Sequence, residues 1–178
     1  MNDFLDPKYE VPQKSSNYAR LLDGENKFRI LNSPIQGWEY WQTSPEGARK
    51  PIRKRMGETI SVNDLEPNEQ LKHFWAMPVY NYKEEKVQIL EITQKGIQKA
   101  LTALSRSKDW GSPLNYDILI TRSGQKLDTE YVVQPSPPKP LDPAIFQLYK
   151  DMKIDIEQLY SGGDPFKLED LSNIDLDK

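Results

Sequence analysis

The stretch 72–133 constrains the fold of this chain most, because strand-like runs surround a single amphipathic helix there. Two of these runs are joined by four polar residues, which is typical of a hairpin. In chain order the elements are strands at 73–82 and 87–92, a helix at about 94–107, and strands at 116–122 and 130–133. The pattern favours a mainly β domain, an antiparallel barrel of the five-stranded OB type, although other α+β folds fit it nearly as well.

Aromatic and β-branched residues predict three more strands upstream. These strands lie at 28–31, 37–41 and 49–56, and the last of them is strongly basic. Polar residues at 63–70 indicate a loop between the basic strand and the next one. Thr93 is the expected N-cap of the helix, because a threonine side chain can accept a hydrogen bond from the first helical turn.

Changes in composition divide the chain into five segments. Its first residues include prolines and serines without apolar periodicity, which predicts a flexible arm. Five prolines close together predict a stiff linker after the barrel, and Asp142-Pro143 is typical of a helix start. The segments are an arm at 1–17, the barrel domain at 18–134, a proline-rich linker at 135–143, a short helical extension at 144–163 and an acidic tail at 164–178.

Cysteine is absent from the chain, and His73 is its one histidine. Disulfides, thiolate nucleophiles and cysteine-based zinc sites are therefore excluded, and no histidine pair can hold a metal. Phosphate-loop and dinucleotide signatures are missing as well. The acid-x-lysine pattern of some metal-dependent nucleases occurs at 84–86, but it lies where the hairpin needs a turn. We expect a non-enzymatic protein without metal or cofactor.

The sequence also predicts a cytoplasmic location. No apolar run approaches the length of about 18 residues that a membrane span requires. The first residues lack the basic and apolar regions of a signal peptide. We therefore expect a soluble protein that has no membrane partner.

The formal net charge of −3 is unevenly distributed. Residues 1–134 carry 19 Lys and Arg against 18 Asp and Glu, whereas residues 135–178 carry 5 against 9. Within the first part, the stretch 18–55 holds eight basic residues and four acidic ones. This asymmetry indicates a surface for a polyanion and an acidic tail.

Aromatic and basic residues occur together on the predicted strands. A surface for single-stranded nucleic acid needs both, because every base offers a π-face and every nucleotide carries a phosphate. Any single aromatic is more often a core residue, and the basic run could be a solvated loop. Strand alternation leaves open which aromatic face is outward. The candidate binding residues are Arg29, Trp38, Tyr40, Lys50, Arg53, Lys54, Arg55, Phe74, Trp75, Tyr80 and Tyr82.

The last residues of the chain alternate apolar and acidic side chains. Such a segment is too polar to fold alone, but it suits a basic, apolar groove on a partner. It could also lie over the basic surface of its own chain, or have no role. The candidate partner-binding residues are Leu168, Asp170, Leu171, Ile174, Asp175, Leu176 and Asp177.

The runs 72–104, 115–122 and 129–133 resemble the core of the single-stranded DNA-binding proteins of tailed phages. In that family an aromatic-Trp-Ala strand, here Phe74-Trp75-Ala76, is followed by a hairpin, a lysine-rich helix and a strand pair. In layout the resemblance covers 27–134, and it extends to the acidic tail. The later strand adds the candidates Tyr116 and Arg122.

The resemblance implies an OB-fold that coats single-stranded DNA during replication, recombination and repair. It also implies a tail that recruits replication proteins, such as polymerase, helicase or primase, and that tunes self-association on DNA. The chain departs from the best-known members in two ways. It has no cysteine for their zinc insertion, and its arm at 1–17 has two lysines against three acidic residues. Zinc is therefore excluded, and the arm lacks the excess of basic residues that the family uses for cooperative binding.

Two other functions remain open at this point. An OB-like domain can bind a partner protein instead, in which case the chain would be an interaction adaptor. The acid-x-lysine pattern would place it among metal-dependent nucleases. Single-stranded DNA binding is the leading hypothesis, because aromatic and basic residues share neighbouring strands.

Overall fold

The structure is a computed structural model, and it describes residues 16–166. Most of the predicted arm, at 1–15, lies outside the described residues. The final part of the acidic tail, 167–178, also lies outside them. All seven candidate partner-binding residues, from Leu168 to Asp177, belong to that part.

Seven strands and three α-helices make up the described chain. The strands are β1 (Gly24–Ile30), β2 (Ile35–Thr43), β3 (Arg49–Arg55), β4 (Lys72–Asn81), β5 (Lys86–Ile92), β6 (Asp117–Ser123) and β7 (Glu130–Pro135). The helices are α1 (Lys95–Arg106), α2 (Pro143–Met152) and α3 (Gln158–Ser161). Short 3-10 turns lie at Val62–Asp64, Pro113–Asn115 and Lys126–Asp128.

β4 is the centre of the sheet, because three strands pair with it. β5 pairs along one edge. β1 and β2 lie end to end along the other edge, where Ile30 pairs with Val79 and Ile35 with Ala76. β6 joins the sheet beside β1, β7 beside β6, and β3 beside β2, and all of these pairs are antiparallel.

The predicted fold class is confirmed. The domain is mainly β, carries three helices, two of them after the last strand, and is consistent with an OB-like domain. Its open sheet has seven strands instead of five, because the chain forms an additional hairpin, β2 and β3, after β1 and before β4. Within the described residues, each of the seven strand-like runs of the sequence corresponds to a strand.

The two faces of the sheet have different cores. The inner face carries Phe28, Met77 and Ile118, and α1 covers it with Ile97 and Leu101. On the outer face, buried apolar residues pack against the segment 154–166, which includes α3. The sheet contributes Phe74, Ala76 and Ile89, and the segment contributes Leu159. The helical extension is therefore part of the packed structure, since it supplies the cover of the outer face.

α1 begins one residue later than the sequence predicts. Gln94 is its N-cap, because the Gln94 carbonyl accepts the first helical hydrogen bond from the Gln98 amide at 3.1 Å. The amide of Thr93 instead donates to Oε1 of Gln94, also at 3.1 Å. The expected threonine cap is therefore wrong. At α2 the expected start is present, since Asp142 accepts from the amide of Ala144 and proline follows it.

The proline-rich segment after β7 is attached to the rest of the domain by backbone hydrogen bonds. The amide of Ser136 donates to the carbonyl of Asp117 at 2.9 Å, and that of Lys139 donates to the carbonyl of Asn115 at 3.0 Å. Arg29 donates to the carbonyl of Lys139 at 2.9 Å. The segment thus has a fixed path along the domain. Among the described residues, no helix is long and apolar enough to cross a bilayer.

Candidate nucleic-acid interface

Four of the candidate binding residues are buried. The side chains of Tyr40, Phe74 and Tyr116 are at most 2% exposed, and Tyr116 and Phe74 belong to the cores of the inner and outer faces. Arg29 is also 2% exposed, because its guanidinium donates to the carbonyls of Leu114 and Lys139 and faces Asp117. These four buried side chains shape the domain, and none of them lines the groove described below.

A row of aromatic rings lies on the inner face beside α1. Trp38 pairs in register with His73, and Trp75 follows His73 by two residues on the same strand, so that the three side chains share one face. The ring centroids of Trp38 and His73 are 5.2 Å apart. The Trp75 indole donates to Nε2 of His73 at 3.2 Å. All three residues are partly exposed. We call Trp38, His73 and Trp75 the aromatic row.

Two adjoining cavities lie beside His73 and Trp75 of the aromatic row. One has a volume of about 490 Å³ and the other of about 530 Å³. Both are lined by His73, Trp75 and the α1 residues Thr102 and Arg106. Together they form one groove between the end of the sheet and α1. Planar bases could stack on its aromatic wall.

Cations flank this groove on both sides. On the sheet side, Lys54 pairs in register with Trp38, and Lys50 lies on the same face of β3. On the helix side, Lys95, Lys99 and Arg106 line the groove. Within residues 16–166 none of these five side chains forms an ion pair. They are available to phosphate groups.

β3 carries its arginines on the opposite face, and acidic side chains of the chain neutralise them. Arg49 bonds Glu69 at 2.7 Å, and Arg55 bonds Glu157 of the C-terminal segment. The Arg55 guanidinium also lies 4.2 Å from the ring centre of Tyr160. The sequence-based candidates Lys50 and Lys54 thus lie on the same face of the sheet as Trp38, whereas Arg55 is held by Glu157 and Tyr160.

Arg53 lies between two carboxylates on the outer face. Its Nε bonds Glu39 at 2.9 Å and its Nη2 bonds Glu91 at 2.7 Å. All three side chains are largely shielded from solvent. Burial and the adjacent Glu91 raise the pKa of Glu39 to about 8. The candidate Arg53 is therefore part of a structural ion-pair network, and it does not face the groove.

The candidates Tyr80 and Tyr82 form a second aromatic cluster at the other end of β4. Their rings meet edge to face with centroids 5.1 Å apart. Lys27 lies 4.7 Å from the Tyr82 ring centre. The Tyr82 hydroxyl donates to Asp117 at 2.7 Å, and burial together with this bond raises the pKa of Tyr82.

Asp117 compensates the cations around this tyrosine cluster. Its carboxylate lies 2.9 Å from Nζ of Lys139 and 3.7 Å from Nζ of Lys27. Burial raises the pKa of Asp117, but the hydrogen bonds from Lys139 and Tyr82 outweigh burial and lower it. The last candidate, Arg122, donates to the carbonyl of Leu21 and lies 3.7 Å from Asp23. Neither the tyrosine cluster with Asp117 nor Arg122 lines the groove.

Sequence reasoning missed the helix side of the groove. Lys95, Lys99, Thr102 and Arg106 follow one another at helical spacing and so share a face of α1. That spacing is visible in the sequence, but the apolar residues that predict the helix do not include these four. His73 is also absent from the sequence-based candidates, because a single histidine cannot form a metal-binding pair and its register beside Trp38 is known only from the structure. Among the described residues, no group of three or more acidic, histidine or cysteine side chains could hold a metal ion.

Comparison with known proteins gives one distant relationship. The chain is 23% identical over 139 residues to a probable ssDNA-binding protein of Escherichia phage T5. The match covers 66% of this chain and 54% of the phage T5 protein, so the chain spans about half the length of the curated relative that it matches. No family model matches the chain. No solved structure matches it either.

Proposed function

We propose that this protein binds single-stranded DNA in the groove beside α1, without catalysing a reaction. The observation that carries the proposal is the aromatic row, which is flanked on both sides by cations without ion pairs in the described chain. In this arrangement the bases stack on Trp38, His73 and Trp75, and the phosphates lie against lysines of β3 and α1. The name of the phage T5 relative supports single-stranded DNA as the ligand.

The groove is suited to binding without strong sequence preference. Stacking accepts every base, because each base has a π-face, and lysines recognise phosphates and carry no base specificity. In a duplex the bases are paired and stacked on one another, so their faces cannot reach the aromatic side chains of the groove. The expected preference is therefore for single strands over duplexes.

The wider role follows from the resemblance described above. We propose that the protein covers single strands during phage DNA replication, recombination and repair, in the cytosol of the host. We also propose that the acidic tail, from Leu168 to Asp177, recruits replication proteins. Its alternation of leucine or isoleucine with aspartate suits a basic, apolar groove on such a partner.

Titration with oligothymidylate tests the main proposal. Tryptophan fluorescence should be quenched as the bases stack on the row, and affinity should fall steeply as the salt concentration rises. A duplex of the same length should bind much more weakly. Equal affinity for duplex and single strand, or affinity that is independent of salt, would contradict the proposal.

A further inference from the structure

An exposed tryptophan lies on the outer face of the sheet, at the end of the β2–β3 hairpin. Trp41 is 39% exposed there and forms one wall of a cavity of about 490 Å³. The other residues around the cavity are polar or charged: Arg49, Asn68, Glu69, Gln70 and Lys72. We call this set the Trp41 corner. It is separate from the groove, because Trp38 and Trp41 point to opposite faces of β2.

Local contacts hold Trp41 in place and leave its ring accessible. Beyond Glu39, β2 is no longer paired with β4. The Trp41 amide donates instead to Oε1 of Glu69 at 3.1 Å. The second oxygen of Glu69 accepts from Arg49 at 2.7 Å. The one carboxylate of the corner is thereby occupied by a backbone amide and an arginine.

The charge that remains in the corner is positive. Arg49 is compensated by Glu69, but Lys72 is exposed and forms no ion pair within residues 16–166. Asn68 and Gln70 add amide groups that can donate and accept hydrogen bonds. An aromatic plane, a free cation and neutral amides are the groups that bind a nucleotide through its base, phosphate and base edge.

The edge of the sheet connects the corner with the groove. β3 is the last strand on this side, since within the described residues it pairs only with β2. Its sequence, RKPIRKR, places Lys50 and Lys54 on the inner face and Arg49 on the outer one. Proline and cations disfavour pairing with a further strand. A flexible polyanion could cross this edge and remain close to positive charge along the whole path.

We propose that the Trp41 corner binds a nucleotide of the same DNA strand that occupies the groove, after the strand has crossed the edge of β3. This inference rests on the proposed function. It adds that bound DNA extends over both faces of the sheet. A strand that is too short to cross the edge reaches the groove alone.

Oligothymidylates of two lengths test this inference, one of about 6 nucleotides and one of about 20 nucleotides. The substitution Trp41→Leu keeps apolar bulk but removes the aromatic plane, whereas Trp41→Phe keeps a plane. Trp41→Leu should weaken binding of the long strand about 5- to 100-fold and leave binding of the short one unchanged. Trp41→Phe should retain most of the affinity for the long strand.

Phe146→Ala is the matched control, because Phe146 is an exposed aromatic on α2 with Nζ of Lys150 5.1 Å from its ring centre. It should bind both strands as the unmodified protein does. If Trp41→Leu binds both lengths normally, or loses both equally, the corner is not a separate site. If the unmodified protein binds neither strand, the proposed function itself fails, and the two failures are thus distinct. Thermal unfolding of each variant shows that the fold is retained.

Discussion

The Trp75 indole N–H donates to Nε2 of His73 at 3.2 Å. The other ring nitrogen of His73, Nδ1, lies 2.8 Å from the carbonyl oxygen of Gly37, which can only accept. Nδ1 therefore donates to this carbonyl, while Nε2 accepts from Trp75. Two hydrogen bonds thus fix the orientation of the histidine and, through it, the angle at which Trp75 meets the groove.

Trp75→Ala should weaken binding of oligothymidylate by about 1 to 3 kcal/mol, the usual worth of one base stacked on an aromatic side chain. Trp75→Phe should retain most of the affinity, because it keeps a plane and loses only the bond to His73. Anisotropy with a labelled oligonucleotide measures both. Because Trp75 also packs against the inner core, circular dichroism at the assay temperature must show that the alanine variant is folded. Normal affinity in that folded variant would contradict stacking on Trp75.

The lysines of the groove should determine the salt dependence of binding. Replacing Lys54 or Lys99 with glutamine should lower the slope of log affinity against log salt by about 0.7, the value for one lost phosphate contact on a single strand. Lys83→Gln is the control, since this exposed lysine lies in the turn between β4 and β5, away from α1. A slope that falls equally for all three variants would indicate a general effect of net charge.

The order of the elements could be predicted from the sequence, because it depends on local patterns. Strand alternation and turn residues located β1 to β7, and apolar spacing located α1. The sequence does not show that β1 and β2 both pair with the same edge of β4. That arrangement depends on contacts between residues far apart in the chain, such as Ile30 with Val79.

The candidate site was only partly predictable for a related reason. Alternation shows that Phe74 and Trp75 lie on opposite faces, but both faces are apolar enough to be buried. Which one is covered depends on the segment 154–166, which packs on Phe74 and leaves Trp75 at the groove. The same segment supplies Glu157, which forms an ion pair with Arg55. Composition alone therefore could not show that the lysines of β3 are free for phosphates and that Arg55 is not.

The Glu39–Arg53–Glu91 network should make stability depend on pH. The pKa of Glu39 is raised from 4.5 to about 8 in the folded protein, by burial first and by Glu91 second, so folding favours its protonated form. The resulting contribution to stability is complete below about pH 4.5 and is lost as the pH rises towards about 8.

Glu39→Gln should remove this dependence, because a neutral amide replaces the titrating group. Between pH 5 and about pH 8, the free energy of unfolding of the variant should fall less than that of the unmodified protein. Urea denaturation at several pH values in this range measures the difference. Parallel curves for the two proteins would show that Glu39 is ionised throughout and that the network does not titrate.

Gly37→Ala should disturb the sheet directly beneath the aromatic row. A Cβ atom at Gly37 would lie 3.0 Å from Cε1 of Phe74 and still closer to the carbonyl oxygen of Lys54, which belongs to the neighbouring strand. Backbone cannot move aside as a flexible side chain can, so β2 and β3 must separate. We expect a loss of stability of about 1 to 3 kcal/mol.

The same change should weaken DNA binding in the variant that remains folded, because Gly37 precedes Trp38 and its carbonyl orients His73. Gly96→Ala is the control, since a Cβ atom in the first turn of α1 meets open space. Alanine there should leave binding unchanged and raise stability by about 0.5 to 1 kcal/mol, the difference in helix propensity. Thermal unfolding and oligothymidylate titration of the two variants give both quantities. A Gly37→Ala protein as stable as Gly96→Ala would show that the β2–β3 pair tolerates a side chain at this position.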